Sequence, residues 1–275
     1  MAENMEKKLA VLIDADNVSA QYIKPMVAEI ARYGNPTIKR IYGDWTKPNL
    51  TTWKQLLLEF AFQPVQQFGY TTGKNATDSA MIIDAMDLLY SQTIDGFCLV
   101  SSDSDFTRLA TRLRESGKIV YGIGERKTPL PFIAACDKFI YLEILNVGDD
   151  EEKEMDELSE KPREVIQERK GDNPLIRKIN RATVKLIKSS ITDEADYDGW
   201  AFLGAVGNLI MKKRPDFDSR NYGFAKLSQM IRSIDSIESQ ERKSEKDVHV
   251  TLFYIRNKDE VPAKKTDASL GSICV

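Results

Sequence analysis

Residues 99–106 read LVSSDSDF, an apolar run that stops at two aspartates one residue apart. An apolar run followed by short polar residues and then a helical pattern is a buried strand leaving the carboxyl edge of an α/β sheet, the place where ligands sit in such architectures. Two other stretches answer it. Residues 9–18, LAVLIDADNV, make a second apolar strand ending in Asp14, Asp16 and Asn17, and residues 74–85, KNATDSAMIIDA, open a helix with Asp78. A fold that aligns these ends collects several carboxylates in one small volume.

Such a collection is costly without a cation. Two carboxylates about 4 Å apart repel by about 4 kcal/mol at an effective dielectric of about 20. A donor set of oxygens alone, with no cluster of His or Cys, selects a hard ion, Mg2+ or Mn2+, over zinc. One aspartate after one strand is accounted for as a turn residue or helix cap; three such ends together argue for a shared site. Asp78 and Asp84 are six positions apart, so at about 100° per residue they point about 120° away from each other on a helix. Asp78, next to the loop at 69–77, is therefore the better ligand, and Asp84 supports the site from behind or faces solvent.

The chain of 275 residues is long enough for two domains, and its net charge of −3 hides a division along its length. Residues 1–147 carry −1, residues 148–171 carry −5 (5 basic against 10 acidic), residues 172–258 carry +4 (16 against 12), and the tail from 259 carries −1. We read these as an α/β domain, an acidic linker, a basic module and a flexible tail. No apolar run is long enough for a membrane span, and the first ten residues lack the apolar core of a signal peptide, so a cytoplasmic protein without membrane contact is expected. Cys98, Cys136 and Cys274 form no C-x-x-C pair, which excludes an encoded zinc knuckle or disulfide framework.

From residue 9 to 143, strand-like and helix-like patterns alternate, as in a parallel sheet flanked by helices. Strands are expected at 9–13, 37–42, 64–68, 118–123 and 138–142, with a further apolar strand holding Cys98 and Leu99 ahead of the central aspartates. Helices are expected at 19–33, with Ser19 as cap, and at 50–62, 78–90 and 106–117, with a short turn at 132–136. Gly122 and Gly124 lack the remaining glycine of a dinucleotide fingerprint. The module from 172 to 258 shows three helical patterns, at 176–191, 200–210 and 224–234, and then a hairpin of 236–240 and 247–254. That order is winged-helix-like, a scaffold that sets one helix and a charged wing against nucleic acid. Lys212, Lys213, Arg220 and Lys226 are its candidate contacts, within a set that includes Arg214, Arg232, Arg242 and Lys243. His249 alternates with apolar residues in a strand and has no nucleophile motif around it, which excludes Ser-His or Cys-His chemistry.

These motifs resemble the NYN family, metal-dependent ribonucleases related to PIN domains. The resemblance rests on IDADN at 13–17, KNATD with IID at 74–84, SSDSDF at 101–106 and CDKFIYL at 136–142. It implies a PIN-like, Rossmann-like fold for about 8–143 and places Asp14, Asp78, Asp103 and Asp105 on the family's acidic site. Asn17 is then a polar companion, and Asp84 and Asp16 are outlying members. Ser102 stands where the family often has glycine. Residues 172–258, with RPDFDSRNYGFAKL at 214–227, resemble an OST-HTH or LOTUS domain, which implies RNA binding, or protein binding in some members.

The leading expectation is a metal-dependent RNA phosphodiesterase using one or two Mg2+ or Mn2+ ions, in which Asp14 and Asp103 ligate directly and Asp78 and Asp105 ligate or position water. Lys74 would meet a phosphate oxygen, and Trp45 or Tyr70 would stack on a base. DNA stays open as a substrate, as do a homo-oligomer and a protein partner of the C-terminal domain. Two rival readings differ in chemistry. In a haloacid-dehalogenase-like phosphatase Asp14 would be a nucleophile and Asp16 its acid/base partner; in an RNA-binding adaptor the acids would not turn over.

Overall fold

The structure, a computed structural model, describes residues 6–68, 76–91, 93–145, 176–243 and 251–260. The segment expected as an acidic linker (148–171), residues 261–275 of the tail, Tyr70, Lys74, His249 and Cys274 lie outside the described residues. The chain divides into two compact units, Met1–Ile176 with Met211–Asn221, and Arg177–Ile210 with Tyr222–Val275.

In the first unit six strands form one sheet: β1 (Lys8–Asp14), β2 (Asn35–Gly43), β3 (Gln63–Gln66), β4 (Gly96–Val100), β5 (Ile119–Gly124) and β6 (Lys138–Tyr141). Their order is β3-β2-β1-β4-β5-β6, and every neighbouring pair is parallel. Helices α1 (Ile23–Ala31), α2 (Thr51–Glu59), α3 (Ala76–Ser91), α4 (Thr107–Glu115) and α5 (Leu130–Ala135) fill the connections. Parallel strands covered on both faces must be apolar throughout. β4 is buried at every position and β1 at all but its first, which is why both stand out in the sequence as uninterrupted runs.

The strand order reverses between β1 and β4, so the loops leaving these two strands part and open a crevice at their carboxyl ends. Ile13 pairs with Val100, which sets Asp14 level with Ser101 at the mouth of that crevice. The helix after β4 follows from its sequence: Leu109, Ala110 and Leu113 are buried on one face, and Gly117 ends the helix at φ +77, where only a residue without Cβ is unstrained. Gly122 and Gly124 serve packing: a Cβ on the first would come within 2.6 Å of Cys136 Sγ, and one on the second within 2.5 Å of the Ser101 carbonyl.

Two local expectations differ from the structure. Ser19 makes no side-chain cap; a 3-10 turn at Ala20–Tyr22 intervenes and α1 begins at Ile23. The segment expected as a turn at 132–136 is part of helix α5, which starts directly after Pro129, since proline presets the backbone for a first helical turn.

The C-terminal part of the chain runs α6 (Arg181–Glu194), β7 (Ala201–Phe202), α7 (Leu203–Lys213), α8 (Leu227–Arg232), β8 (Ile237–Lys243) and β9 (Thr251–Asn257). Asn180 caps α6 by accepting from the Thr183 N–H at 2.8 Å, so the helix starts later than its apolar pattern, and Ile176 and Ile179 precede it. The strands form an antiparallel sheet in the order β7-β9-β8. β7, two residues long, was not expected; it pairs Ala201 with Ile255 and Phe202 with Tyr254.

Candidate functional site

Asp14 ends β1 and is 1% exposed. Its carboxylate is held by three donors: Asn17 Nδ2 to Oδ2 at 2.6 Å, the Ser101 hydroxyl to Oδ2 at 2.9 Å, and the Asp16 N–H to Oδ1 at 3.2 Å. Burial pushes its carboxyl above the ordinary aspartate value against these hydrogen bonds. Ser101 Oγ also accepts from the Asp103 N–H at 3.1 Å, and Asp103 Oδ1 accepts from the Asp105 N–H at 2.9 Å. The SSDSD turn is thus wired to β1 through one hydroxyl.

Asp78 enters from the first turn of α3 and is 8% exposed. One carboxylate oxygen from each of Asp78, Asp103 and Asp105 lies within 4.8 Å of the others, the one such group of metal-ligating side chains among the described residues. Burial and then the charges of Asp14, Asp103, Asp105 and Asp16 push the Asp78 carboxyl up to about 6. The donors are all carboxylate oxygens, a set that fits a hard divalent ion held between them.

Asp14, expected as a direct ligand, is not one of this group of three, though its charge acts on Asp78. Asp16 is exposed and its Oδ2 accepts from the Thr77 hydroxyl at 3.0 Å. Asp84 is turned away from the cluster, as the helical angle requires, and accepts hydrogen bonds from Arg40 Nη1 and the Tyr42 hydroxyl on β2. Ser102 is buried with no positive φ and its Oγ accepts from the Glu125 N–H at 2.8 Å, so a residue with a Cβ fits there. Ser101, the residue that joins both strands at the site, had no role in the sequence reading. Its signal is a hydroxyl in the first position after an apolar strand whose neighbour ends in aspartate.

The candidate nucleic-acid residues are dispersed. Trp45 is half-buried and donates its indole N–H to the Val65 carbonyl at 3.1 Å. Arg220, which falls in the first unit, donates to both carboxylate oxygens of Glu29 at 2.9 and 2.8 Å and also to Asp218. Lys212 and Lys213 occupy the last turn of α7 and are exposed, and Lys226 is exposed at the start of α8. Arg242, one of the wider basic set, lies over the rings of Tyr254 and Trp200 at 4.5 and 5.2 Å, and Arg256, which the sequence reading did not name, over Trp200 at 4.6 Å. Arg256 comes from β9, where alternation draws attention to its apolar neighbours.

Family models match the chain in two places, an NYN domain at residues 8–143 and an OST-HTH/LOTUS domain at residues 174–249. This chain is an NYN-domain protein with a C-terminal OST-HTH/LOTUS domain. The acid cluster lies entirely within the NYN domain, and the Arg242–Tyr254–Trp200 stack falls in and beside the OST-HTH/LOTUS match. Among solved structures, the chain is similar to a protein of unknown function from Vibrio parahaemolyticus, at 21% identity over 50% of this chain and 94% of that one, TM-score 0.42. It is also similar to an uncharacterized protein from Nitrosomonas europaea, at 29% identity over 36% of this chain and 91% of that one, TM-score 0.30. A protein fragment from Chromobacterium violaceum matches at 33% identity over 30% of this chain and 85% of that one, TM-score 0.24. Nothing among curated proteins matches. No helix among the described residues is long and apolar enough to cross a membrane.

Proposed function

We propose that the NYN domain is a metal-dependent ribonuclease and that the OST-HTH/LOTUS domain holds its RNA. The observation that carries this reading is the convergence of Asp78, Asp103 and Asp105 within 4.8 Å of one another at the strand-order reversal, with Asp14 buried beside them. In this reading Asp78, Asp103 and Asp105 hold the ion, and Asp14, held by Asn17 and Ser101, anchors through the Ser101 hydroxyl the turn that carries Asp103. When bound, magnesium or manganese would supply charge neutralisation at the phosphate and acidification of water.

The chain's own residues do the rest. Asp105, exposed at the rim, accepts hydrogen bonds from the incoming water and orients it toward phosphorus. Lys212, Lys213, Lys226 and the cation–aromatic stack around Arg242 offer phosphate contacts and ring faces to the RNA.

The phosphatase alternative fits poorly. A nucleophilic Asp14 would need one oxygen open to phosphorus, yet the side chain is 1% exposed and each of its oxygens accepts a hydrogen bond.

The test is incubation of the purified full chain with labelled single-stranded and structured RNA in manganese, magnesium or chelator. Metal-dependent cleavage that disappears in Asp14→Asn and Asp103→Asn, with circular dichroism unchanged, is the expected result. Full activity in both variants overturns it, and RNA binding that survives chelation with no cleavage in any metal turns the reading to an adaptor.

A further inference from the structure

Beside the acid cluster the loop after β1 and the start of α2 enclose a groove of about 540 Å3. Its walls differ in chemistry from the cluster. Leu56, half-buried, gives it an apolar side over the core residue Trp53, whereas Gln21, Asn49 and Thr52 bring exposed uncharged amides and a hydroxyl to its rim. No Lys or Arg lines it, so it is not built for a phosphate. Neutral side chains able both to donate and to accept, set around an apolar wall, suit the edge and face of a nucleobase.

The groove is continuous with the cluster through Asp16. This residue lines the groove, its N–H donates to Asp14 Oδ1 at 3.2 Å, and its side-chain partner Thr77 immediately precedes Asp78. The Thr77 hydroxyl fixes one of its oxygens, Oδ2, at 3.0 Å. A carboxylate held between a phosphate site and a base-sized groove stands where a ribose belongs, and the ribose 2′-hydroxyl is the donor that distinguishes RNA from DNA.

We propose that this groove is a nucleoside subsite: it takes the nucleoside next to the scissile phosphate, Asp16 accepting from the 2′-hydroxyl and Gln21, Asn49 and Thr52 reading the base edge. The subsite makes the enzyme selective for ribose and for one base at the position beside the cut. It rests on the ribonuclease reading for its role in cleavage but not for its occupancy.

Occupancy is tested first, with the full chain in chelator so that RNA stays intact, using short RNAs that carry one 4-thiouridine at successive positions. After irradiation the crosslinked peptides are mapped by mass spectrometry. Crosslinks within residues 17–21 or 49–56 are expected; crosslinks confined to other parts of the chain, or none, overturn the subsite. In manganese, the double variant Gln21→Ala with Asn49→Ala is then expected to lose base preference at one position beside the cut by about tenfold, and Asp16→Ala to narrow the RNA-over-DNA ratio by a similar factor. Both side chains of the double variant are exposed, so the core is untouched. Unchanged preference and ratio overturn the assignment. If the groove crosslinks RNA and the wild type cuts nothing in any metal, the ribonuclease reading fails and the binding subsite stands.

Discussion

The Ser101 hydroxyl donates to Asp14 Oδ2 at 2.9 Å, across the seam where β1 and β4 lie side by side, and its oxygen accepts from the Asp103 N–H at 3.1 Å. One hydroxyl therefore sets the relative position of two acids that are distant in sequence. Partners of this kind, which orient ligating carboxylates, typically cost 10–100-fold in metal affinity or activity when removed.

Ser101→Ala is expected to weaken manganese-dependent cleavage by about 10–100-fold and to cost about 1–3 kcal/mol in stability, since Asp14 stays buried with one donor fewer. Urea unfolding and the manganese dependence of cleavage measure the two effects. Wild-type behaviour in both would remove Ser101 from the site.

Asp78 gives a pH prediction of definite sign. Burial and four neighbouring carboxylates raise its carboxyl from 3.8 to about 6, so protonation is favoured by the fold. The stability it contributes is complete below pH 3.8, falls as pH rises, and is gone above about 6 in the absence of metal. Asp78→Asn should therefore stabilise the protein in chelator at pH 7, by at most about 3 kcal/mol, and the gain should vanish toward pH 3.8. The same variant should lose metal-dependent cleavage. Equal melting temperatures at pH 7 in chelator would show that the carboxylates do not strain one another.

Glu29 has the opposite sign. Burial alone would raise its carboxyl, but the hydrogen bonds from Arg220 and Tyr33 outweigh that and hold it at about 2. Its stabilisation is present above the ordinary value of 4.5 and is lost as pH falls through about 2. Removing Glu29 leaves Arg220 paired with Asp218 but takes the acceptor from the Tyr33 hydroxyl, and Glu29→Ala should cost about 1–3 kcal/mol. Unfolding curves at pH 7 and pH 3 compare the variant with wild type; a variant as stable as wild type at pH 7 would mean the pair contributes nothing.

What was legible in the sequence follows from what each residue needs nearby. β1 and β4 could be read because a strand buried on both faces tolerates no polar residue until it leaves the sheet, so Asp14 and Asp103 announce its edge by contrast. Asp78 and Asp84 could be told apart by angle along one helix. The partners of Asp84 could not be read, because Arg40 and Tyr42 sit on a strand more than forty residues away and only the sheet order brings them together. β7 was invisible for a different reason: two residues carry no period, and the strand exists only because β9 offers it an edge. Helix α5 was misread as a turn because six residues beginning with a proline-flanked pair carry little helical pattern; its Phe132 and Ile133 are held by the core instead. The groove beside Asp16 was likewise unreadable, since its two walls come from separate elements.

Asp84 separates structure from chemistry within the same helix. It accepts from Arg40 and Tyr42, binding α3 to β2, and its side chain is 23% exposed, so the pair is partly screened by water. Asp84→Asn keeps an acceptor for the Tyr42 hydroxyl, which is buried, but leaves Arg40 without its countercharge. The loss should be about 1–2 kcal/mol, read as a lowered urea midpoint, and Asp84→Ala should lose more because the tyrosine hydroxyl is then stranded as well. Cleavage per folded molecule should stay within about twofold, because the helical angle that gives Asp84 to β2 also keeps it from an ion that Asp78 would hold. A variant that folds as well as wild type yet loses cleavage would put Asp84 among the ligands, and the division of labour along α3 would have to be redrawn.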